Sequence, residues 1–276
     1  MIDSMNHAEA WSAVAGAWNA GADAGDGPHP EATARLLTRL DVQRGDRVLE
    51  LAAGPGSLGA RWSELVGPTG RVMLTDVAPA MVEFARARTE NLGNVDTAVV
   101  DVAAIDVPDA SVDVVACSMG LMFTPDPARA FGEIHRVLRP GGRLGALTWG
   151  SIERNPWMTC VGMAAMASDI VAGPPPTGPG GIFSLADPRE LGQLAISAGF
   201  HDVRVDVIDV AFSAPSIDDH LERVASLAGP LAVALRAAPP DQRDAFRRIA
   251  TDLAAPYLAA AGLEIPGVAL LTTGHR

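Results

Sequence analysis

Short apolar runs recur along the first 150 residues, and each has the length of a strand. Hydrophobic side chains fall on both faces of these runs, which is typical of strands in a parallel sheet that helices cover on both sides. The pattern therefore predicts an α/β fold whose crossover connections are right-handed. The five predicted strands span residues 46–51, 71–76, 95–101, 111–118 and 143–150.

Amphipathic stretches with helical spacing separate these strands. Residues 126–142 begin with Asp126 as an N-cap and Pro127 at the first helical position, and Pro140-Gly141-Gly142 is a predicted stop. Residues 78–93 carry a proline early and end at a glycine. We expect helices over both stretches and over residues 57–66.

The alternation of strand and helix patterns is interrupted after residue 150. Residues 151–183 are rich in proline and glycine, and the next stretch predicts a helix over 185–200 with Asp187 as its cap. A sixth strand follows, and its apolar alternation shifts phase near Ile208, which favours a bulge there. The remaining predicted elements are that sixth strand at 201–213, helices within 216–262, including a stripe of Phe246, Ile249, Leu253 and Tyr257, and a final strand at 267–276.

Composition and charge narrow the classes of partner. The formal net charge of −12 disfavours binding to nucleic acid, because most of the surface would repel a polyanion. Cys117 and Cys160 belong to no close cluster of cysteine and histidine, so neither a metal site nor a disulfide framework is expected. The N-terminus does not resemble a signal peptide, and no apolar run has the length of a membrane span. We expect a cytoplasmic protein, and the sequence leaves a homodimer open.

The turn after the first predicted strand contains the candidate cofactor-binding residues. "VLELAAGPGSLG" at residues 48–59 includes G-x-G-x-x-G, and Asp76 lies 20 residues beyond Gly56, a spacing that suits either a dinucleotide or another adenosine cofactor. Pro55, however, has no N–H to offer a pyrophosphate, and Glu50 places a carboxyl nearby. A cationic ligand such as S-adenosylmethionine reverses both arguments.

These residues resemble motif I of the class I S-adenosylmethionine-dependent methyltransferases. The segment from "VVDVAAIDVPDASVDVVACSMG" to "LRPGGRL" is similar to the subgroup that includes ubiquinone and menaquinone C-methyltransferases and many small-molecule methyltransferases. The resemblance covers residues 44–150 and, more weakly, 183–205. One position departs from the motif, since Ala52 stands where the family has its first glycine.

The resemblance implies a Rossmann-like sheet of seven strands in the order 3-2-1-4-5-7-6, with the last strand antiparallel. It also implies roles for particular residues. One group lies near the methionine end of the cofactor, namely Glu50, Ala52, Gly54 and Gly56; a second near the ribose and adenine, namely Asp76, Val77, Met81, Asp101 and Val102; and a third near the transferred methyl group, namely Ser118 and Met119.

We expect one methyltransferase domain over residues 1–276, with its core at 44–150, 185–213 and 267–276. The cover segments 1–43, 151–183 and 216–262 would then enclose a small, largely apolar acceptor that is methylated on oxygen, carbon or nitrogen. Trp11 and Trp18 are seven residues apart, which indicates a single helix laid across the domain. The candidate pocket residues in the cover and beside it are Trp11, Trp18, Trp149, Trp157, Met158 and Leu221.

No catalytic base follows from the sequence. His7, His220 and Glu222 lie in cover segments, but nothing in the sequence brings them together, and His220 is interpreted as a solvated helix residue. Two alternatives therefore stay open beside a methyltransferase: a protein that binds S-adenosylmethionine without catalysis, and a nicotinamide-dependent oxidoreductase that uses the same loop.

Overall fold

A computed structural model describes residues 7–22 and 29–276. Its centre is one sheet whose strands run in the order β3-β2-β1-β4-β5-β8-β6, with the two-residue β7 paired to β8 outside this path. The strands are β1 (Arg47–Leu51), β2 (Arg71–Asp76), β3 (Val95–Val99), β4 (Val112–Ser118), β5 (Leu138–Trp149), β6 (His201–Ala214), β7 (Leu258–Ala259) and β8 (Gly262–His275).

The predicted strand order is confirmed, with one short strand added. β1 to β5 pair in parallel, whereas β8 pairs antiparallel with β5 on one side and with β6 on the other. The first five strands and β6 consequently point the same way. Their carboxyl ends share one edge of the sheet, which is where open α/β sheets bind ligands.

Helices cover both faces of the sheet and extend beyond its carboxyl edge. Two of the predicted N-caps are confirmed, because Asp126 accepts a hydrogen bond from the N–H of Arg129 and Asp187 accepts from those of Arg189 and Glu190. The helices are α1 (His7–Ser12), α2 (Ala15–Ala20), α3 (Pro30–Leu40), α4 (Gly59–Val66), α5 (Pro79–Thr89), α6 (Pro127–Val137), α7 (Pro156–Ala167), α8 (Pro188–Ser197), α9 (Ile217–Leu227), α10 (Pro230–Ala237) and α11 (Pro240–Ala254).

Helix α7 lies within residues 151–183, where the proline- and glycine-rich composition predicts turns and no helix is expected. Its sequence, "PWMTCVGMAAMA", is apolar around the whole helix and so has no amphipathic period. Such a helix is stable only when it is buried on several sides. It packs against α11, β8 and α9, so its burial depends on segments far along the chain.

The N-terminal segment also differs from the prediction. Trp11 and Trp18 lie on two short helices, α1 and α2, and not on one. The break falls at Ala13 and Val14, where Val14 packs into a small cluster with Ala78 and Met81 of the α5 region.

The C-terminal boundaries are shifted relative to the sequence interpretation. The helical segment ends at Ala254, before Pro256, and β8 begins at Gly262 rather than at residue 267. The predicted stripe is wrong at Leu253, which is exposed, since the buried positions of α11 are Phe246, Ala250 and Ala254. β8 tolerates Pro266 because β5 no longer pairs with it there, and a strand edge without a partner needs no N–H.

One further predicted boundary and the predicted position of a bulge are wrong. β5 begins at Leu138, so α6 ends five residues earlier than expected. The irregularity of β6 lies between His201 and Arg204, where Asp202 adopts a positive φ of 51°, and not near Ile208. The apparent phase shift has another cause: Val205 packs on α8, whereas Ile208 is buried on the opposite face of the same strand.

No helix in residues 7–22 and 29–276 is long and apolar enough to cross a membrane. The described cover elements α7 and α9–α11 follow the carboxyl ends of β5 and β6. The N-terminal helices α1 and α2 contact α5, which follows the carboxyl end of β2. These helices therefore lie at one edge of the sheet. Helix α3 differs from the prediction, because it lies in the cover segment 1–43 but packs on β5 and β8 through the buried Leu36 and Leu40.

Candidate cofactor and acceptor site

The turn after β1 has a left-handed backbone at three alternate residues. Ala52, Gly54 and Gly56 have φ values of 52°, 55° and 78°. Hydrogen bonds tie the turn to β2, since the N–H of Ala53 donates to the carbonyl of Thr75 at 2.8 Å and that of Gly54 donates to Asp76 Oδ2 at 3.0 Å. The turn is thus held open beside the carboxyl ends of β1 and β2.

The three motif glycines serve different purposes. A Cβ on Gly56 would lie 3.0 Å from the backbone of Ala85, and one on Gly59 would lie 2.7 Å from the Thr89 methyl, so both allow α5 to pack closely. A Cβ on Gly54 would meet no atom within 4 Å. Packing explains Gly56 and Gly59, whereas the open space at Gly54 is where a ligand could approach the backbone. A direct cofactor contact of Gly56 stays a prediction.

Asp76 ends β2 and is almost fully buried. Its two oxygens accept hydrogen bonds from the backbone N–H groups of Gly54 and Ala78, at 3.0 and 2.9 Å. Burial raises the pKa of this carboxyl, and the backbone N–H donors oppose that shift. Asp76 therefore holds the turn in place and presents a buried carboxyl at the site. Its contact with the ribose hydroxyls stays a prediction. Val77 is half-buried beside it.

Glu50 lies in β1 below the turn and is 3% exposed. Its Oε2 accepts a hydrogen bond from Trp62 Nε1 at 2.9 Å, and Trp62 on α4 is itself fully buried. Burial raises the pKa of Glu50 to about 8, although the indole hydrogen bond opposes the shift. Glu50 is thus a carboxyl whose protonated form burial favours at neutral pH, and not the permanent negative charge that its place before the glycine turn implies.

The end of β4 faces the turn across the sheet edge. Ser118 and Met119 are half-buried, and Met119 has a positive φ of 58°. Gly120 follows, and a Cβ at that position would overlap the Cβ of Ala52. The methyl group that replaces the usual motif glycine is therefore accommodated by a second glycine across the edge.

Asp101 lies beyond β3 and is exposed. Its Oδ1 accepts a hydrogen bond from the N–H of Ala103 at 2.8 Å, which forms a local turn over the half-buried Val102. His7 of α1 is near this carboxylate: burial lowers the pKa of His7, and the charge of Asp101 opposes that effect. The predicted adenine contacts of Asp101 and Val102 would therefore lie beside the N-terminal helices.

The N-terminal helices dock on both the core and the helical insert. The ring of Trp11 contacts Phe123, with centroids 4.8 Å apart, and packs against Gly229. Trp18 Nε1 donates a hydrogen bond to the carbonyl of Leu227 at 3.0 Å. Met81 is buried in the same small cluster. Cover segments that are some 210 residues apart in sequence thus meet above α5.

A second group of aromatic rings lies at the carboxyl ends of β5 and β6. Trp157 stacks on Phe212 at 4.2 Å, and Trp149 contacts both rings. His29 packs edge-on against Trp149 and Phe212, and burial lowers its pKa to about 4, with a further contribution from Arg223. Trp149, Trp157, Met158 and Leu221 are all at most 6% exposed, so their contact with an acceptor stays a prediction.

His220 is not solvated, contrary to the sequence interpretation. It is buried on α9, and its Nε2 lies 3.1 Å from the carbonyl oxygen of Trp157. Sequence reasoning also missed Trp62, Gly120 and His29. Only Gly120 had a signal, because an alanine at a motif glycine implies that space was made elsewhere.

Comparison with known proteins identifies the domain that contains this turn. Residues 48–142 match a family model described as a methyltransferase domain. Over 122 residues the chain is 36% identical to the ubiquinone/menaquinone biosynthesis C-methyltransferase UbiE of Pseudoalteromonas translucida, covering 43% of this chain and 49% of that protein. Residues 48–142 form a class I S-adenosylmethionine-dependent methyltransferase domain. The cofactor of such a domain is S-adenosylmethionine.

Solved structures extend the likeness to the fold of most of the chain. YcgJ from Bacillus subtilis has a TM-score of 0.61 at 17% identity and covers 90% of this chain and 99% of its own. Phosphoethanolamine N-methyltransferase 2 of Haemonchus contortus, in complex with S-adenosyl-L-methionine, has a TM-score of 0.56 at 17% identity, covering 94% and 57%. At such identities the likeness concerns the fold alone. The chain spans about half the length, or less, of the curated relatives it matches.

Gly54 and Gly56 provide a matched pair of variants, because both have a positive φ and an added methyl group strains both backbones similarly, by about 1 kcal/mol. Gly54→Ala is expected to fold and to weaken S-adenosylmethionine binding by roughly tenfold or more, since its methyl group enters ligand space. Gly56→Ala is expected to lose more stability through its contact with Ala85. Calorimetric titration and thermal unfolding separate the two effects, and wild-type affinity in folded Gly54→Ala would contradict this assignment.

Ala52 and Gly120 are expected to be energetically coupled. Gly120→Ala should cost about 1–3 kcal/mol of unfolding free energy, because its methyl group overlaps that of Ala52. Ala52→Gly relieves a left-handed alanine and should stabilise by up to about 1 kcal/mol. In the double variant the Gly120→Ala penalty should largely disappear. Urea unfolding of the four proteins measures the coupling, and simple additivity would show that the two residues do not touch.

Proposed function

We propose that this protein transfers a methyl group from S-adenosylmethionine to a small, largely apolar acceptor. One observation carries the proposal: Glu50 and Asp76 are buried acids at the open turn, and no ion pair to either is found in the described part of the chain. Buried carboxyls favour a cationic ligand over a pyrophosphate. Pro55, within the turn, adds to this argument because it offers no N–H.

The chain's own residues would bind and orient the cofactor and the acceptor, and would not themselves take part in the bond changes. When bound, S-adenosylmethionine would supply a methyl group that is already activated by the sulfonium; in-line attack by the acceptor on that carbon would release the neutral thioether, and the acceptor's proton would leave to solvent. Gly54 leaves room for the methionine part, and the turn held by Asp76 fixes its direction. Ser118 and Met119, at the end of β4, would flank the reacting carbon.

The apolar side chains of the cover segments favour an acceptor that binds out of contact with water. The rings of Trp149, Trp157 and Phe212 line the layer above β5 and β6, and the N-terminal helices close the side above α5. Apolar enclosure excludes water from the reacting groups and suits a bulky hydrophobic molecule. The similarity to UbiE favours quinol-like or other hydroxylated ring compounds for the first assays.

Turnover is tested by incubating the purified protein with S-adenosylmethionine labelled in its methyl group and with a panel of hydroquinones, phenols and terpenoid or polyketide alcohols. Label in an extractable product, located by mass spectrometry, supports the proposal. Tight binding of the cofactor with no turnover on any acceptor would favour a non-catalytic binding protein. Binding of NADH in place of S-adenosylmethionine would favour an oxidoreductase.

Asp76→Asn should weaken S-adenosylmethionine binding by about 1–3 kcal/mol, because charge-assisted hydrogen bonds to the ribose would be lost. Asparagine is preferred to alanine, since its carbonyl oxygen retains one of the two backbone hydrogen bonds that hold the turn. The matched control is Asp113→Asn, which alters a buried acid at the opposite end of β4. Calorimetry on folded protein is the measurement, and equal affinity in wild type and Asp76→Asn would refute the ribose role.

Trp18→Phe should loosen the N-terminal cover, because it removes the hydrogen bond to Leu227 and keeps most of the ring. A loss of about 1 kcal/mol corresponds to a roughly fivefold increase in local opening. Trp11→Phe is the matched control, since its indole N–H donates only to His7 on the same helix. Hydrogen exchange of residues 7–22 and 227–237 should rise in the first variant only. Equal exchange in both would mean that the Leu227 contact does not hold the cover.

Trp157 is less useful as an acceptor probe than its sequence position suggests. Replacing its stacked, buried ring by alanine is expected to cost about 3–5 kcal/mol of stability. Trp157→Phe preserves the stack on Phe212 and removes the indole hydrogen bond to Asn155. A rise in acceptor KM in this folded variant, with unchanged cofactor affinity, is the outcome expected if the ring borders the acceptor.

A further inference from the structure

A cavity of about 590 Å³ lies at the amino edge of the sheet, opposite the edge that carries the cofactor turn. Its lining includes Arg44, three residues before β1, and Arg71, the first residue of β2. β2 has six residues, so roughly 16 Å separates Arg71 from Asp76 at the other end of the strand. The cavity is therefore separate from the candidate methyl-transfer site.

The lining of this cavity is positively charged, although the protein as a whole is acidic. Neither guanidinium, that of Arg44 or that of Arg71, makes a hydrogen bond or an ion pair within the described part of the chain. Glu64, the one acid among the described residues of the lining, pairs with Arg61 at 3.1 Å. In a chain whose formal net charge is −12, such a cavity is a local surface that attracts anions.

The guanidinium of Arg44 is held in place by the neighbouring turn. The N–H of Gly45 donates to the carbonyl of Val66 at 2.8 Å, which ties the chain before β1 to the end of α4. A Cβ on Gly67 would lie 2.9, 3.0 and 3.3 Å from Nη2, Cζ and Nε of Arg44, so the plane of the guanidinium faces this glycine. A side chain whose conformations are limited in this way loses less entropy when it binds an anion.

A second part of the lining is fixed by hydrogen bonds. Asn94 Nδ2 donates to the carbonyls of Ser63 and Gly67 at 3.3 and 3.0 Å, and Ser63 Oγ donates to Asn94 Oδ1 at 2.6 Å. The carbonyl of Asn94 accepts from the N–H of Val72, which joins the chain before β3 to the start of β2. A Cβ on Gly93 would meet no atom within 4 Å, so the backbone of this lining residue is open to a ligand. The fold thus orders much of the cavity in advance.

The charge and the volume of the cavity indicate the chemistry of a ligand. A guanidinium binds the oxygens of carboxylates and phosphates through paired N–H donors. One guanidinium occupies both oxygens of a carboxylate, whereas the three terminal oxygens of a phosphate monoester can accept from two guanidiniums, and its charge of about −1.5 to −2 at neutral pH suits two cations. The volume lies in the range of about 300–1,000 Å³ that is typical of small-molecule sites and exceeds what a phosphate group alone requires.

We propose that this cavity binds a small molecule that carries a phosphate monoester group, through the guanidiniums of Arg44 and Arg71. The organic part of the molecule would lie beside Pro68 and Leu92, and the side-chain amide of Asn91 offers a further donor. Occupancy of this cavity is independent of the proposed methyl transfer, which would take place at the other edge of the sheet. A ligand that binds only the folded chain would also raise its unfolding temperature.

Phosphorus NMR titration at constant ionic strength tests the site with glycerol 1-phosphate as the ester and with glycerate as a competing carboxylate of similar size. Wild-type protein is expected to bind the ester with a dissociation constant at or below about 1 mM, and glycerate should displace it only at roughly tenfold higher concentration. Saturating S-adenosylmethionine should leave the affinity for the ester unchanged, because the two sites lie at opposite edges of the sheet.

Arg44→Gln and Arg71→Gln each remove one charge from an exposed side chain, so both variants are expected to fold like the wild type. Each should weaken binding of the ester by roughly fivefold or more. Arg47→Gln is the matched control, because Arg47 is also an exposed arginine at the amino edge of the sheet and does not line the cavity. It changes the net charge equally and should keep the affinity for the ester within about twofold of the wild-type value.

An equal loss of affinity in Arg47→Gln and in the two cavity variants would show an attraction to net charge alone and would overturn the site. Absence of ester binding by the wild-type protein at about 10 mM would overturn it as well, and so would displacement of the ester by S-adenosylmethionine. Tighter binding of inorganic phosphate than of the ester would contradict the assignment to a phosphate monoester. None of these results bears on the proposed function, which is tested by binding and turnover of S-adenosylmethionine.

Discussion

The hydrogen bonds between the turn after β1 and the end of β2 are the constraint on which the candidate site depends. A turn with three left-handed residues is costly, and two of them are glycines that reduce the cost. The N–H groups of Ala53 and Gly54 donate to Thr75 and Asp76, so the neighbouring strand holds the turn in addition to the turn's own hydrogen bond from the Gly56 N–H to the Ala53 carbonyl. The place of Gly54 and one of the two hydrogen bonds to Asp76 depend on that attachment.

The two buried carboxyls at this turn lower the stability of the folded protein, because burial disfavours their ionised forms. Glu50 and Asp76 are both buried, both have raised pKa values, and both obtain only neutral donors from the surrounding chain. Arg143 and Asp46, at the other end of the sheet, show that the fold can pair a buried acid with a base where binding is not at stake. Functional sites commonly hold such unpaired groups, because the ligand completes them.

The core could be predicted from the sequence because its signals are local. Strands β1 to β5 are short apolar runs between glycine-rich turns, and the caps at Asp126 and Asp187 act within one helical turn. The acids at the site could also be found, since Asp76 ends a strand and Glu50 precedes a glycine turn. Their protonation could not, because the pKa of Glu50 depends on Trp62 and on burial by distant segments.

The cover was less predictable for the same physical reason. Helix α7 is apolar on all sides and becomes a helix only when α9, α11 and β8 surround it. The start of β8 was hidden by Pro266, whose effect depends on where β5 stops pairing. The helix pattern around His220 predicts a solvated side chain, whereas its contact with the carbonyl of Trp157, 63 residues away in sequence, accompanies its burial. In each case the local pattern is compatible with several structures, and a contact between residues far apart in sequence selects one of them.

The N-terminal helices hold together parts of the molecule that are far apart in sequence. Trp11 packs between Phe123, which follows β4, and Gly229, at the start of α10, while Trp18 donates to Leu227 at the end of α9. The N-terminal helices also rest on Met81 of α5, directly above the cofactor edge. Helices α1 and α2 therefore connect the end of β4 and the start of α5 with the helical insert through direct contacts. Three contacts between segments far apart in sequence, and not the helical pattern of residues 7–22 alone, therefore determine where these helices lie.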